Sequence, residues 1–249
     1  MLNSDLYDHP ALYDAILPVG AHLPYYMDLA RQAPGEVLEL ACGTGQLTVP
    51  VAEAGLPIVG LDLSPPMLNR AKERAAARNV SVELLLADMR NFDLGRQFGL
   101  IFIARNSLLH LHSTEDILAT FATIRRHLAP HGMFAFDVFN PSVRLLARPA
   151  DQRFSVMQVE TEPFGTLSVE ETTDYDCATQ VSRSRWYVSA PGKPDAWNLS
   201  LELRSIFPQE LPLLLAAGGF HLESRVGDLY ETSFHSNSRS QVCLCQAAV

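Results

Sequence analysis

Apolar runs alternate with helix-period stretches from residue 35 to about residue 140, and the spacing predicts repeated strand–helix units. Val37 to Leu40 is a short apolar run broken by one acid, Glu39, and ends in the small-residue turn Ala41-Cys42-Gly43-Thr44-Gly45. A helix-compatible stretch, 46–54, follows directly. Residues 57–62 read as the next strand. Ser64 then supplies an N-cap and Pro65 a first-turn proline for a helix running to about Arg78. Residues 82–87 and 98–104 read as two further strands. The second is apolar on both faces, as expected of a strand covered by helices on each side. From 114 to 128, Ile117, Leu118, Phe121, Ile124 and Leu128 fall at helical spacing, and Pro130 with Gly132 stops the helix. Residues 133–139 form a fifth strand.

The pattern changes after residue 150. Stretches 154–160, 167–175, 180–189 and 197–207 alternate, carry β-branched and aromatic residues, and are separated by turn residues. No long helical stretch interrupts them, which predicts an antiparallel sheet inserted after the fifth strand. Residues 207–212 begin a helix that ends at Gly218-Gly219, and 221–226 and 241–247 read as two closing strands. The first 34 residues are rich in aromatics and helical around Tyr25 to Leu29. The expected organisation is a helical cover over 1–34, a core over 35–150, the β insertion over 151–207, and a return to the core over 208–249.

Three successive strands finish in acids: Glu39, Asp62 and Asp88. In open α/β sheets ligands sit outside the carboxyl ends of the strands, where Asp62 can accept both hydroxyls of a ribose. Gly43 and Gly45 let a ligand approach the backbone closely. A dinucleotide fold shares these features, but its fingerprint is G-x-G-x-x-G/A, and here the last position is Thr48. Acids around the turn repel a pyrophosphate and tolerate a sulfonium and an adenosine.

The ordered segments E-L-A-C-G-T-G, L-D-L-S-P-P-M-L and L-A-D-M resemble those of the class I S-adenosylmethionine (SAM)-dependent methyltransferases. Arg105-Asn106-Ser107-Leu108-Leu109-His110-Leu111 is similar to the N-S-x-x-H-L stretch of glycine and amino-sugar N-methyltransferases. The resemblance implies a Rossmann-like α/β sheet of seven strands, the last antiparallel, with the β sheet inserted after strand five. It implies SAM as cofactor and S-adenosylhomocysteine as product. It places Glu39, Ala41, Gly43 and Gly45 in the cofactor turn, Asp62 on the ribose, and Leu63 and Met67 beside the adenine. Asp88 would bond the adenine amino group and the Met89 N–H a ring nitrogen, next to Ala87. Ala104 and Asn106 would lie near the methionyl part.

Tyr13 matches the tyrosine of a Y-D element that reaches the cofactor or the reacting centre; packing of the segment is the other reading. Arg31 suits the methionyl carboxylate, or is a solvated surface arginine. His110 matches a histidine that faces the methyl-transfer centre, as a base or an orienting group. His112 begins the loop before the next helix. The implied reaction is methyl transfer to a small-molecule acceptor, with an amine nitrogen favoured. O-methylation and a non-catalytic SAM-binding subunit stay open. In glycine and sugar N-methyltransferases a comparable insertion walls the substrate pocket and can build a homo-oligomer.

Composition narrows this further. Of 249 residues, 47% are apolar, so a full core is available. Nineteen basic against 28 acidic residues give a net charge of −9, which argues against a general nucleic-acid binder. The four cysteines lack zinc spacing, and Cys243 and Cys245 share one strand face as packing residues. Asp137 and Asn140 lack the further carboxylates of a magnesium site, so no metal is expected, and a structural or substrate-contacting role is favoured. No signal peptide is evident and no apolar stretch approaches the roughly 20 residues of a membrane span, so a soluble cytoplasmic protein is expected.

Overall fold

The computed structural model describes residues 4–248. In chain order the elements are β1 (Ser4–Asp5), α1 (Pro10–Ile16), α2 (His22–Gln32), β2 (Val37–Leu40), α3 (Thr48–Glu53), β3 (Ile58–Asp62), α4 (Pro65–Ala77), β4 (Glu83–Leu86), β5 (Phe98–Ile103) and α5 (Thr114–His127). Then follow β6 (Leu128–Phe139), α6 (Val143–Leu146), β7 (Phe154–Thr161), β8 (Gly165–Asp176), β9 (Val181–Ala190), β10 (Lys193–Arg204), α7 (Leu211–Ala217), β11 (Phe220–Val226) and β12 (Ser240–Ala247). The chain divides into two units: residues 19–140 with 206–249, and residues 1–18 with 141–205.

The larger unit is a seven-stranded sheet in the order β11-β12-β6-β5-β2-β3-β4. β12 runs antiparallel to both its neighbours, while β6, β5, β2, β3 and β4 are parallel. The chain builds outward from β2 through β3 to β4, then returns to add β5 and β6 on the other side. The strand order therefore reverses between β2 and β5, the place where open α/β sheets form a crevice. All residues of β2, β3 and β5 are buried, which explains their near-continuous apolar runs. β4 is an edge strand, and Leu86 is exposed there.

Helix α4 starts where its sequence dictates. The Ser64 hydroxyl accepts the Met67 N–H and Pro65 sits in the first turn. Ser113 caps α5 in the same way by accepting the Asp116 N–H at 3.0 Å. His127 closes α5 as a buried structural group: Nδ1 meets the Thr123 carbonyl at 2.8 Å and Nε2 accepts the Leu94 N–H at 3.0 Å. Cys243 and Cys245 are both buried on β12, as the packing reading expects.

The smaller unit is an antiparallel sheet, β10-β9-β8-β7, with the two-residue β1 parallel to the outer edge of β10. Its core joins Leu6, Leu12 and Ile16 to Leu167, Val169, Trp186, Val188 and Leu199. The expected N-terminal cover over 1–34 is thus not one segment. It divides after Pro18, because Leu6, Leu12 and Ile16 pack on the insertion's sheet while Tyr26 and Ala30 belong to the core around β2 and β5. The core expected to reach residue 150 ends at Asn140, and α6 lies in the smaller unit. The helix expected from residue 46 begins at Thr48, since positive φ at Gly45 (+71°) keeps the chain in a turn there.

Backbone packs closely on backbone where β5 passes the end of α2. A Cβ on Gly99 would meet the Pro34 backbone, within 2.7 Å of its carbonyl carbon and 3.0 Å of its nitrogen. Backbone cannot rotate away as a side-chain tip can. Gly99→Ala is expected to lower the unfolding free energy by about 1–3 kcal/mol. Urea denaturation checks this: the midpoint should fall at constant slope.

Candidate functional site

The turn after β2 is built from left-handed backbone. Ala41, Gly43 and Gly45 have φ of 56°, 56° and 71°. A non-glycine residue there, Ala41, is unusual and marks a constrained path. The turn is fastened from several sides. Cys42 N–H donates to the Leu61 carbonyl at 2.9 Å, and Gly43 N–H donates to Asp62 Oδ2 at 2.7 Å. From α4, Arg74 Nε donates to the Thr44 carbonyl at 2.9 Å. Room is scarce beneath it: a Cβ on Gly45 would stand 3.0 Å from Val49 Cγ2 and 3.1 Å from Ala71 Cβ. The second glycine is required by both φ and space.

Asp62 ends β3 with its carboxylate locked. Oδ2 takes the Gly43 N–H, and Oδ1 takes the Ser64 N–H at 2.8 Å. Burial raises its pKa against these backbone donors. Beside it, Leu63 is 63% exposed, while Met67 is buried with Cε 3.4 Å from the position of a Gly43 Cβ. A carboxylate for hydroxyls, a side-chain-free turn and an uncovered apolar residue together fit an adenosine.

Glu39 is buried one strand away, and the Thr48 hydroxyl donates to its Oε2. Burial pushes its carboxyl up to about 8, opposed by the Thr48 bond and aided by the Asp62 charge. Burial likewise pushes the Cys42 thiol well above its ordinary range, so Cys42 is a packing residue and no nucleophile.

Asp88 lies beyond β4, gripped by Arg90 through Nε–Oδ1 at 3.0 Å and Nη2–Oδ2 at 2.6 Å. That guanidinium holds the carboxyl below its usual range and also reaches Asp116 Oδ1 at 3.1 Å. Ala87 N–H donates to the Asp62 carbonyl at 3.0 Å, tying this loop to β3; Met89 is half-buried.

On the other side of the reversal, Ala104 is buried, and Arg105 and Asn106 both have left-handed backbone, φ 60° and 65°. Asn106 Oδ1 accepts the Phe139 N–H at 2.6 Å. The Arg105 N–H donates to Asp137 Oδ1 at 2.9 Å, and Arg105 Nη1 donates to Gln46 Oε1 at 2.8 Å. Asp137 is buried and also accepts the Tyr26 hydroxyl at 2.7 Å and meets His22 Nε2 at 3.2 Å. Its role is structural. His110 ends a short 3-10 turn, Ser107–His110, and is half-buried; His112 is exposed.

Arg31 and Tyr13 lie outside the loops at the carboxyl ends of the sheet strands. Arg31 is on an exposed face of α2, paired with Asp28 at 2.8 Å and 59% exposed, which matches the solvated alternative. Tyr13 is on α1 in the smaller unit, where its ring lies 5.9 Å from that of Tyr7. Gln46, Thr48 and Arg105 were not foreseen. A charged residue directly after an all-apolar strand was the available signal for Arg105. The i, i+4 pair His22 and Tyr26 was the signal for a polar contact facing the sheet.

The doubly wound sheet, with its crevice at the strand-order reversal, is the architecture of nucleotide-binding α/β proteins. Residues 37–132 match the family model described as a methyltransferase domain. An uncharacterized methyltransferase of Synechocystis is 32% identical over 165 residues, covering 62% of this chain and 76% of that one. A dTDP-3-amino-3,4,6-trideoxy-α-D-glucopyranose N,N-dimethyltransferase of Streptomyces venezuelae is 31% identical over 138 residues, 52% of this chain and 56% of that one. The structure of the CcbJ methyltransferase from Streptomyces caelestis superposes with a TM-score of 0.83 at 26% identity, covering 100% of both chains. The chain belongs to the class I SAM-dependent methyltransferases, and SAM is the cofactor that membership brings. It spans about half the length of several curated relatives it matches.

The Glu39 carboxyl gives this site a pH signature. Its ordinary value is 4.5 and its folded value about 8, so the folded chain keeps a proton that the unfolded chain releases. The resulting stability is full below about pH 4.5, falls as pH rises, and is lost above about pH 8. Glu39→Gln removes this dependence. The melting temperature of the variant should gain on that of the native protein from about pH 5 to about pH 8.5; a constant difference would refute the assignment.

Proposed function

We propose that this protein transfers a methyl group from SAM to an amine nitrogen of a small molecule. When bound, SAM supplies a methyl carbon on a sulfonium and leaves as S-adenosylhomocysteine. The observation that carries the cofactor reading is the Asp62 carboxylate, fixed by the Gly43 and Ser64 N–H groups at the carboxyl end of β3 and flanked by exposed Leu63. Fixed in this way, it can accept two ribose hydroxyls without rearranging. Asp88, oriented by Arg90, accepts from the adenine amino group, and the Met89 N–H donates to a ring nitrogen.

The acceptor reading rests on Asn140 and on the names of relatives. The Asn140 Nδ2 donates to the Ser238 carbonyl at 2.9 Å, which fixes the orientation of the amide. Its Oδ1 is then buried with no hydrogen-bond partner among the described residues. An enclosed carbonyl oxygen left unpaired costs about 1–3 kcal/mol, and an amine N–H of a substrate would satisfy it. The asparagine sits at the end of β6, next to Phe139, whose N–H is held by Asn106. One relative methylates an amino sugar by name, which favours nitrogen.

A neutral amine needs alignment more than a strong base, and holding reactants in line can supply about 7–11 kcal/mol. His110 orients the amine or takes its proton after attack. The four unpaired cysteines fit a reducing compartment, and we place the enzyme in the cytoplasm.

Calorimetric titration with S-adenosylhomocysteine tests the cofactor site. Asp62→Asn should weaken binding by roughly 10–100-fold, the value of hydrogen bonds to a charged group. An acceptor screen beginning with amino sugars then tests the reaction. With an active acceptor, His110→Ala should lower kcat by roughly 10²-fold with cofactor affinity intact. Full activity in that variant removes His110 from the mechanism, and turnover of hydroxyl acceptors alone replaces the amine reading.

A further inference from the structure

The crevice at the strand-order reversal is acidic on the β2 and β3 side. Asp62 stands there, and its carboxylate does not suit the α-carboxylate at the methionyl end of SAM. A zwitterionic amino-acid end needs a cation as well as an acceptor. Arg31, the arginine that the sequence offered, is paired with Asp28 on an exposed helix face. Arg74 is committed to the carbonyl and hydroxyl of Thr44, and Arg90 to Asp88 and Asp116.

Arg105 is differently placed. β2 and β5 are neighbours with Leu40 opposite Ile103, so the chain leaves the sheet side by side at Ala41 and Ala104. Arg105 is the next residue. Its left-handed backbone is imposed rather than chosen: its N–H is tied to Asp137 Oδ1 at 2.9 Å, and the Asn106 N–H to the Asp137 carbonyl at 3.2 Å. Consecutive left-handed residues without glycine are unfavourable and persist only where surrounding bonds over-determine them. The consequence is a guanidinium carried back across the reversal to the glycine turn. There Nη1 donates to Oε1 of Gln46, the buried residue that follows Gly45. The same guanidinium draws the Glu39 carboxyl down against its burial.

We propose that Arg105, aimed by Gln46, binds the α-carboxylate of the methionyl end of the cofactor. A planar guanidinium matches a carboxylate with two parallel N–H bonds. The inference rests on the reading of this crevice as the SAM site. It assigns recognition of the amino-acid end to the loop after β5, while Asp62 and Asp88 recognise the nucleoside.

The test separates the two ends of the ligand. S-adenosylhomocysteine and 5′-methylthioadenosine share the adenosine and the thioether, but the second lacks the amino acid. Each is titrated calorimetrically into the native protein, Arg105→Gln and Arg105→Lys. The native protein should prefer S-adenosylhomocysteine. Arg105→Gln should lose roughly 10–100-fold for S-adenosylhomocysteine and stay within about twofold for 5′-methylthioadenosine. Arg105→Lys should recover part of the loss, since it keeps the charge without the fork. Equal losses for both ligands would show that Arg105 only holds the loop, and no loss for either would place the carboxylate elsewhere; both overturn the inference. A native protein that binds neither ligand overturns the cofactor reading itself.

Discussion

Three donors converge on one buried carboxylate. Asp137 takes the Tyr26 hydroxyl from α2 and the Arg105 N–H from the loop after β5, and it meets His22 on the same helix. A carboxylate buried without partners is strongly unfavourable, so the two segments that supply them are held in one arrangement with β6, which carries Asp137. Tyr26 is fully buried, stacked on Phe102 with ring centroids 4.6 Å apart, and its hydroxyl is pushed well above the ordinary range by burial and by Asp137. The helix before the sheet, the strand at its centre and the loop at its reversal thereby share one polar anchor. The left-handed geometry of Arg105 and Asn106 depends on it.

A second lock faces it across the reversal. Asp62 grips the glycine turn through the Gly43 N–H, and Arg74 grips it through Thr44. The two locks use different chemistry for a common end. Each fixes a backbone path with positive φ that its sequence would not adopt alone, and each leaves functional groups at the carboxyl ends of β2, β3 and β5. The buried acids serve different purposes: Asp62 fastens the Gly43 and Ser64 N–H groups, Asp137 holds the scaffold, and Glu39 keeps its proton near neutrality beneath the turn.

The smaller unit obeys separate rules. Its strands alternate, with Leu167, Val169, Trp186, Val188 and Leu199 turned inward and charged residues outward. Arg153 illustrates the outer face, paired with Asp195 at 3.0 and 2.9 Å and lying over the Tyr187 ring at 3.5 Å. Residues 4–18 join this sheet through β1 and the apolar residues Leu6, Leu12 and Ile16.

Much of this was legible in the chain alone. The apolar runs located the strands within a few residues, the Ser64-Pro65 and Ser113 signals located helix starts, and the acids at strand ends marked the crevice, because each is a local property of a few neighbouring residues. Positive φ at Ala41, Arg105 and Asn106, the partners of Asp137, and the division of the N-terminal segment after Pro18 were not legible. Arg31 and Arg105 show the difference most clearly. Arg31 lies in the last turn of a helix and Arg105 follows a strand, and composition treats the two arginines alike. One meets Asp28 three residues away on its own helix; the other is turned by a carboxylate 32 positions along the chain and meets Gln46 59 positions back. Secondary structure follows from short-range periodicity, but the direction of a side chain at a strained loop is set by contacts distant in sequence, and those exist only once the sheet has formed.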